Sequence, residues 1–336
     1  IDGLAANPLL SYTSTAVVTA EDFNWVNSNV SITTLPLQGT IASTVILNPS
    51  IKYLLNSSYI VQAGGNLVIP AGTKIEATSG GTAIYIAILK GGKIDVQGTE
   101  SDPVVISSTT GSAGDWGGLT ICGDATTTAG IDAEAEVGGF IYGGTNDADS
   151  SGSIKYLVIK GTGAQINADS QYNGISFYGV GSGTTIENIS VIDGADDGVE
   201  FFGGTVSASN LYLENNEDDS VDWTEGWNGT LTNTYISHTI TGFSTAFEGD
   251  KDNGNPKFVN LTAISSVGGT GLQFKKLSGG TITNIWLEGY DKNIDMKDGG
   301  PLENVIIDGV AASATADYTT GTKVDVSGWS WKSAGL

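Results

Sequence analysis

The 336 residues carry 37 acidic side chains against 14 basic ones, a formal net charge of −23. A surface this acidic repels phosphate backbones and anionic lipid, which disfavours nucleic-acid and membrane-surface partners and suits divalent cations. All 14 basic residues are lysine and Cys122 is the single cysteine, so chemistry that needs arginine and an intrachain disulfide framework are both excluded. Glycine is abundant, with 48 residues, and proline scarce, with 7, as expected of many tight turns rather than a disordered linker. The longest uncharged apolar run, residues 83–89, is far shorter than the ~20 residues of a spanning helix, so membrane insertion is not expected. The sequence opens at Ile1 rather than at methionine, from which we expect a removed leader and an extracellular, cell-surface or virion-surface location.

In chain order, residues 1–58 match no repeat and hold strand-like runs at 30–37 and 41–47. They are expected to form an N-terminal cap or an assembly arm, because an uncapped solenoid end exposes unpaired strand groups. From residue 59 two apolar patterns recur, loosely at first (66–75, 83–96, 103–122, 154–159) and then regularly. Residues 107–152 are rich in Gly, Thr, Asp and Ala and break the period, which predicts an excursion on the side wall. Beyond it an asparagine recurs in apolar surroundings at Asn188, Asn210, Asn233, Asn260, Asn284 and Asn304, in steps of 22, 23, 27, 24 and 20. An apolar-x-aromatic triplet ends at Phe177, Phe201, Trp223, Phe247, Phe274 and Met296, in steps of 24, 22, 24, 27 and 22. Both patterns share a period near 23 and the two-residue alternation of a half-buried strand. Together they predict an all-β fold, a single-stranded right-handed parallel β-helix of about ten coils over residues 59–310, followed by a C-terminal cap at 311–336 that holds Trp329 and Trp331.

The alternation places the residues that end each triplet in one inward column. Ser176, Glu200, Asp222, Ala246, Gln273 and Asp295 then form the outward one. The asparagines read as a ladder inside a solenoid turn, since asparagine tolerates unusual turn dihedrals and can bond the neighbouring coil. An inward ladder would also close the Asn188 and Asn260 glycosylation triplets to modification.

Gly114-Asp115-Trp116-Gly117-Gly118-Leu119, the run from Asp196 to Thr205 (Asp-Asp-Gly-Val-Glu-Phe-Phe-Gly-Gly-Thr) and Asp218-Asp219-Ser220-Val221-Asp222-Trp223-Thr224-Glu225-Gly226 resemble secreted right-handed β-helix proteins of Bacteroidota-type cell surfaces, with a pectate-lyase-like fold. The resemblance covers roughly residues 59–310. It implies fold and extracellular location and carries little about activity.

Right-handed β-helices also host pectate lyases, polygalacturonase-like hydrolases and phage tailspike depolymerases, and fold alone decides nothing among them. A lyase site of that kind uses an arginine, which this chain lacks. Asp196 and Asp197 mimic the aspartate pair of polygalacturonase-like sites, but the Gly-His-Gly and Arg-Ile-Lys elements are missing. His238, the only histidine, reads as a solvated strand-end residue, and Cys122, coils away from it, as a small buried hydrophobe. No catalytic residue is assigned, and the chain leans away from being an enzyme.

The acidic clusters are the candidate site: Asp196, Asp197 and Glu200 on one coil beside Glu217, Asp218, Asp219 and Asp222 on the next, with Glu225 close by. Like charges about 5 Å apart repel unless a cation bridges them or a proton is taken up. Ca2+ would suit Asp196, Asp197, Glu200, Asp218, Asp219 and Asp222, and the alternative is a solvated acidic edge. Three functions stay open: a non-catalytic structural subunit of an appendage, sheath, filament or virion that self-associates; a glycan-binding adhesin using aromatics such as Trp227, Trp286 and Tyr290; and a polysaccharide-degrading enzyme or tailspike.

Overall fold

In a parallel stack of short strands each backbone bonds to the coils above and below, so side chains at one position of the coil lie over one another. The computed structural model describes residues 34–336 except 169, 252, 254, 255 and 298–301, and over this length it is a right-handed parallel β-helix with three strands per coil. The first face stacks residues 39–41, 59–61, 86–88, 119–122, 175–178, 199–202, 219–224, 245–249, 270–274 and 292–296. The second runs from 44–46 through 66–70, 93–97, 152–155, 185–187, 207–209, 230–232, 257–259 and 280–283 to 305–307. The third runs from 34–37 through 52–55, 74–77, 104–108, 157–160, 189–192, 211–214, 234–238 and 261–265 to 285–288. The expected coil count of about ten is met on each face.

Inside the three faces lies one continuous apolar core. Phe177 and Phe201 stack with ring centroids 5.0 Å apart, and Trp227 joins them 4.2 Å from Phe201. One register departs from the expected one. Val221, not Trp223, pairs with Phe247, and Trp223 pairs with Gly249, where a β-carbon would come within 2.6 Å of the indole. The bulk of Trp223 is accommodated by removing the side chain beneath it. Phe247 still points inward, because a shift of two residues preserves the face. Ala246, however, leaves the outward column and Glu248 takes its place opposite Asp222.

The asparagines stand at the corner between the second and third faces. Asn188, Asn210, Asn233, Asn260 and Asn284 have φ between 57° and 60°, the left-handed region that asparagine tolerates better than most residues. From Asn210 onward each Nδ2 donates to the asparagine Oδ1 of the preceding coil, at 2.9, 2.9, 2.9 and 3.0 Å, so one residue type supplies both the bend and the cross-coil bond. The corner is half-buried rather than inward. Asn304 is outside the ladder: it lies in a short 3-10 helix (Leu302–Asn304), and its Nδ2 donates to the Leu277 carbonyl. Tyr156, at φ 51°, occupies the corner one coil before Asn188.

Three expected boundaries move. Residues 34–58 pair as coil strands, so the β-helix begins at least at Thr34, while the cap or arm expected of residues 1–33 lies outside the described residues. The excursion narrows to 123–151, because Leu119–Cys122 is a rung of the first face. The C-terminal tail covers the last coil with Ala312, Ala316 and Tyr318, then turns back along the third face as a strap. Thr322 N–H donates to Asn284 Oδ1 (2.7 Å), Val324 N–H to Thr262 Oγ1 (2.9 Å), and Trp331 is buried against Ile192 and Tyr212.

Candidate metal centre

On the outer side of the first face the register stacks Thr120, Ser176, Glu200, Asp222, Glu248, Gln273 and Asp295 in one file. Asp196, Asp197, Asp218 and Asp219 sit at or beside the corners that enter this face, and Asp219 N–H donates to Asp197 Oδ1 across the coils (2.9 Å). Successive coils thus place carboxylates over carboxylates at the strand spacing of about 4.8 Å.

Such a file would ordinarily be bathed in water. Here it is covered. The excursion forms a short hairpin, Ala133–Glu134 with Ile141–Tyr142, and packs with the 161–174 loop over Cys122, Tyr178 and Phe202 to make a second small apolar core. Tyr142 O–H donates to Glu225 Oε2 (2.6 Å) and Thr127 Oγ1 to the same oxygen (3.1 Å), which fastens the excursion to the coils. Between cover and sheet remains a cleft of ≈ 360 Å³ lined by Glu136, Gln171, Asn173, Asp196, Asp197, Glu200, Asp218, Asp222, Asp250 and Lys251. Asp197, Glu200, Asp219 and Asp222 are between 3 and 9% exposed, so four of the six expected residues are buried, while Asp196 is half-buried and Asp218 stays exposed at the edge.

The carboxylate oxygens converge in three overlapping triads, Asp196–Asp197–Asp218, Asp197–Glu200–Asp222 and Asp219–Asp222–Glu248, each with its oxygens within 4.8 Å of one another. Asn173 Nδ2 donates to Glu200 Oε2 (2.7 Å), and Thr245 Oγ1 donates to Asp219 Oδ1 (2.5 Å). Glu248 accepts from Gln273 Nε2 and pairs with Lys275 Nζ at 2.5 Å. Asp222 Oδ1 is buried with no hydrogen-bond partner. Burial, and then the negative charge of neighbours, holds the carboxyls of Asp197, Glu200, Asp219 and Asp222 well above the usual range. Asp196 is pushed up to about 8 by burial and next by Asp218. Without a counterion the cluster therefore keeps protons that exposed carboxylates would release.

All six residues singled out in the sequence come together here. Glu248 was missed, because the triplet Thr245-Ala246-Phe247 was read one alternation too early. An acidic residue flanked by Phe247 and Gly249 was the available signal. Glu225 lies outside the triads and holds the excursion. His238 is buried rather than solvated, its Nε2 3.1 Å from Ser220 Oγ and its Nδ1 3.0 Å from Tyr290 O–H, and burial lowers its pKa to about 4. Ser220 and His238 are 0 and 1% exposed, which closes that pair to any substrate. Cys122 is fully buried, and burial pushes its thiol up to about 12, although it packs beneath the excursion and not in the central core. Trp227, expected to be exposed, is an inner-core residue, and Lys323 Nζ lies 4.6 Å above the Trp286 ring.

A family model described as a pectate-lyase like beta helix domain matches residues 39–327, most of the chain and all but the first few residues of the coil stack. The chain belongs to this family. Its members include both enzymes and structural or adhesive proteins, so membership fixes the fold and leaves the role to the site. No curated protein and no solved structure matches the chain.

Proposed function

We propose that the protein is a non-catalytic extracellular structural subunit of a surface appendage, sheath, filament or virion, whose β-helix is braced by calcium in the acidic cleft. The observation that carries this reading is the convergence of three overlapping carboxylate triads, with Asp197, Glu200, Asp219, Asp222 and Glu248 buried and one Asp222 oxygen unpartnered. Ionised carboxylates removed from water are costly unless paired, and among the described residues the one lysine paired with a triad carboxylate, Lys275, offsets a single charge. Calcium takes six to eight oxygens in flexible geometry, and every donor in the triads is a carboxylate oxygen. The non-catalytic part rests on access: the cysteine, the histidine and its serine neighbour are all sealed from solvent. Self-association suits a stack of coils whose strand edges lie at its ends.

The test is a chelator-treated sample titrated with calcium at constant ionic strength. Millimolar calcium is expected to raise the thermal midpoint, and an unmoved midpoint removes the calcium brace. Negative-stain microscopy is expected to show filaments or regular oligomers, against which a strict monomer would count.

One observation favours a second reading, hydrolysis of a polysaccharide. Asp196 opens onto the cleft, with burial and Asp218 pushing its carboxyl up to about 8, and a carboxylic acid still protonated near neutrality can serve as a general acid. Release of reducing ends from a polysaccharide, abolished by Asp196→Asn, would establish it over the structural reading.

A further inference from the structure

Asp222 belongs to two triads at once. It shares one with Asp197 and Glu200 and the other with Asp219 and Glu248. Asp222 is 9% exposed, and its Oδ1 is a buried carboxylate oxygen with no hydrogen-bond partner. An unpaired buried carboxylate oxygen is expensive, and it persists where something absent from the protein itself completes it.

The surroundings are uneven in an informative way. On the first side, Asp197 Oδ1 takes one N–H from Asp219 and Glu200 Oε2 one from Asn173, which leaves each of these oxygens a second lone pair. On the second side, Asp219 Oδ1 takes the Thr245 hydroxyl, and Glu248 is oriented by Gln273 and Lys275. Both pockets are thus held in place by bonds that do not exhaust their acceptors. If all seven carboxyls (Asp196, Asp197, Glu200, Asp218, Asp219, Asp222, Glu248) ionise around cations, the charge of Lys275 leaves 7 − 1 = 6 negative charges, of which a single divalent ion offsets two.

We propose that the acidic file holds a pair of hard divalent cations bridged by the Asp222 carboxylate, one bound with Asp197 and Glu200 and the other with Asp219 and Glu248. This deepens the calcium reading of the same cleft and rests on it. Lys275 already lowers the charge of the second pocket, so the first fills first and the second binds more weakly. Oxygen-only donors select calcium-like ions over zinc or copper.

The experiment uses the full chain stripped with chelator, titrated with Ca2+ by calorimetry and weighed by native mass spectrometry. Two ions per chain are expected in two affinity steps. Asp222→Asn should remove at least one ion and weaken the other by tenfold or more, whereas Glu187→Gln, a carboxylate paired with Lys155 on the second face and outside the cleft, should keep both. Circular dichroism of Asp222→Asn checks that it folds. A measurement on the unaltered chain stands beside it: loading with mixed Tb3+ and Eu3+ should give energy transfer between ions on one molecule. A stoichiometry of one, two ions retained at unchanged affinity in Asp222→Asn, or no energy transfer at full loading overturns the bridged pair while leaving the calcium brace standing. No binding at all removes both.

Discussion

Two outer faces of this β-helix are covered by added segments, with opposite results. On the third face the strap lies over the column Ser190, Tyr212, Tyr235, Thr262 and Trp286 and meets it with complementary groups. Trp331 fills the hollow beside Tyr212 and Ile192, Lys332 lies 5.5 Å above the Tyr212 ring, and Thr262 accepts the Val324 N–H. On the first face the excursion lies over Glu200, Asp222 and Glu248 and leaves an acidic cleft and an unpartnered oxygen. The same architecture buries both columns, and each keeps an unpartnered oxygen, the Ser190 hydroxyl in one and Asp222 Oδ1 in the other, but only in the acidic file does that oxygen belong to a carboxylate. The strap meets its column with rings, a lysine and an N–H donor, whereas the excursion faces its column across carboxylates.

The comparison is sharpest where packing is removed. Trp331→Ala should cost about 3–5 kcal/mol in equilibrium denaturation, the range for truncating a buried tryptophan, and should leave the response to calcium unchanged. Loss of the calcium response in this variant would join the two faces and break the contrast. Trp223→Ala, beneath the acidic file, should cost as much and weaken calcium binding too.

A smaller loss, about 2 kcal/mol, is expected for Asn233→Ala, which gives up two ladder bonds and places alanine in the left-handed region. Asn233→Gly should recover part of it, and equal losses in the two variants would show that the bonds alone matter.

The acidic face should invert the usual sign of a core substitution. In chelator Asp222→Asn is expected to raise the thermal midpoint by a few degrees, because the buried carboxyl must either ionise out of water or take up a proton on folding, and the amide does neither. With millimolar calcium the ranking should reverse, and a variant less stable in both conditions would mean that the charge is already compensated.

The smallest effect is on pH. Carboxyls whose folded pKa is raised bind more protons folded than unfolded, so their charged forms oppose folding above the raised pKa and are relieved as pH falls through it. With Asp196 at about 8, the calcium-free protein should gain stability on going from pH 8.5 to 6.5. The window stops there because His238, lowered to about 4, works the other way below its ordinary value of 6.5. Midpoints measured across this window should be flat once calcium is bound.

Much of this was legible in the sequence, for a physical reason. Stacked coils repeat their environment, so the period near 23, the inward aromatics and the acidic residues between them recur in register. What escaped was whatever does not repeat. Coils before residue 154 turn their corners with other residues, such as Gly72 at φ 74°, so residues 34–58 were not seen as coils. Glu248 was lost because the Trp223 ring asks for Gly249 beneath it, which moves the aromatic by two places. The burial of the acidic file depends on the excursion, and that of His238 on Phe243 and Tyr290, contacts that no periodicity announces.

The strap has a mechanical consequence. In a plain solenoid each coil knows only its two neighbours, so an end can fray rung by rung. Here one segment crosses from Asn284 past Thr262, Tyr212 and Tyr156, and a β-carbon at Gly335 would stand 3.1 Å from Val105 Cγ2. Like thread through a row of beads, it ties the loosening of the last coils to that of coils far up the stack, and turns a one-dimensional array into something that comes apart together.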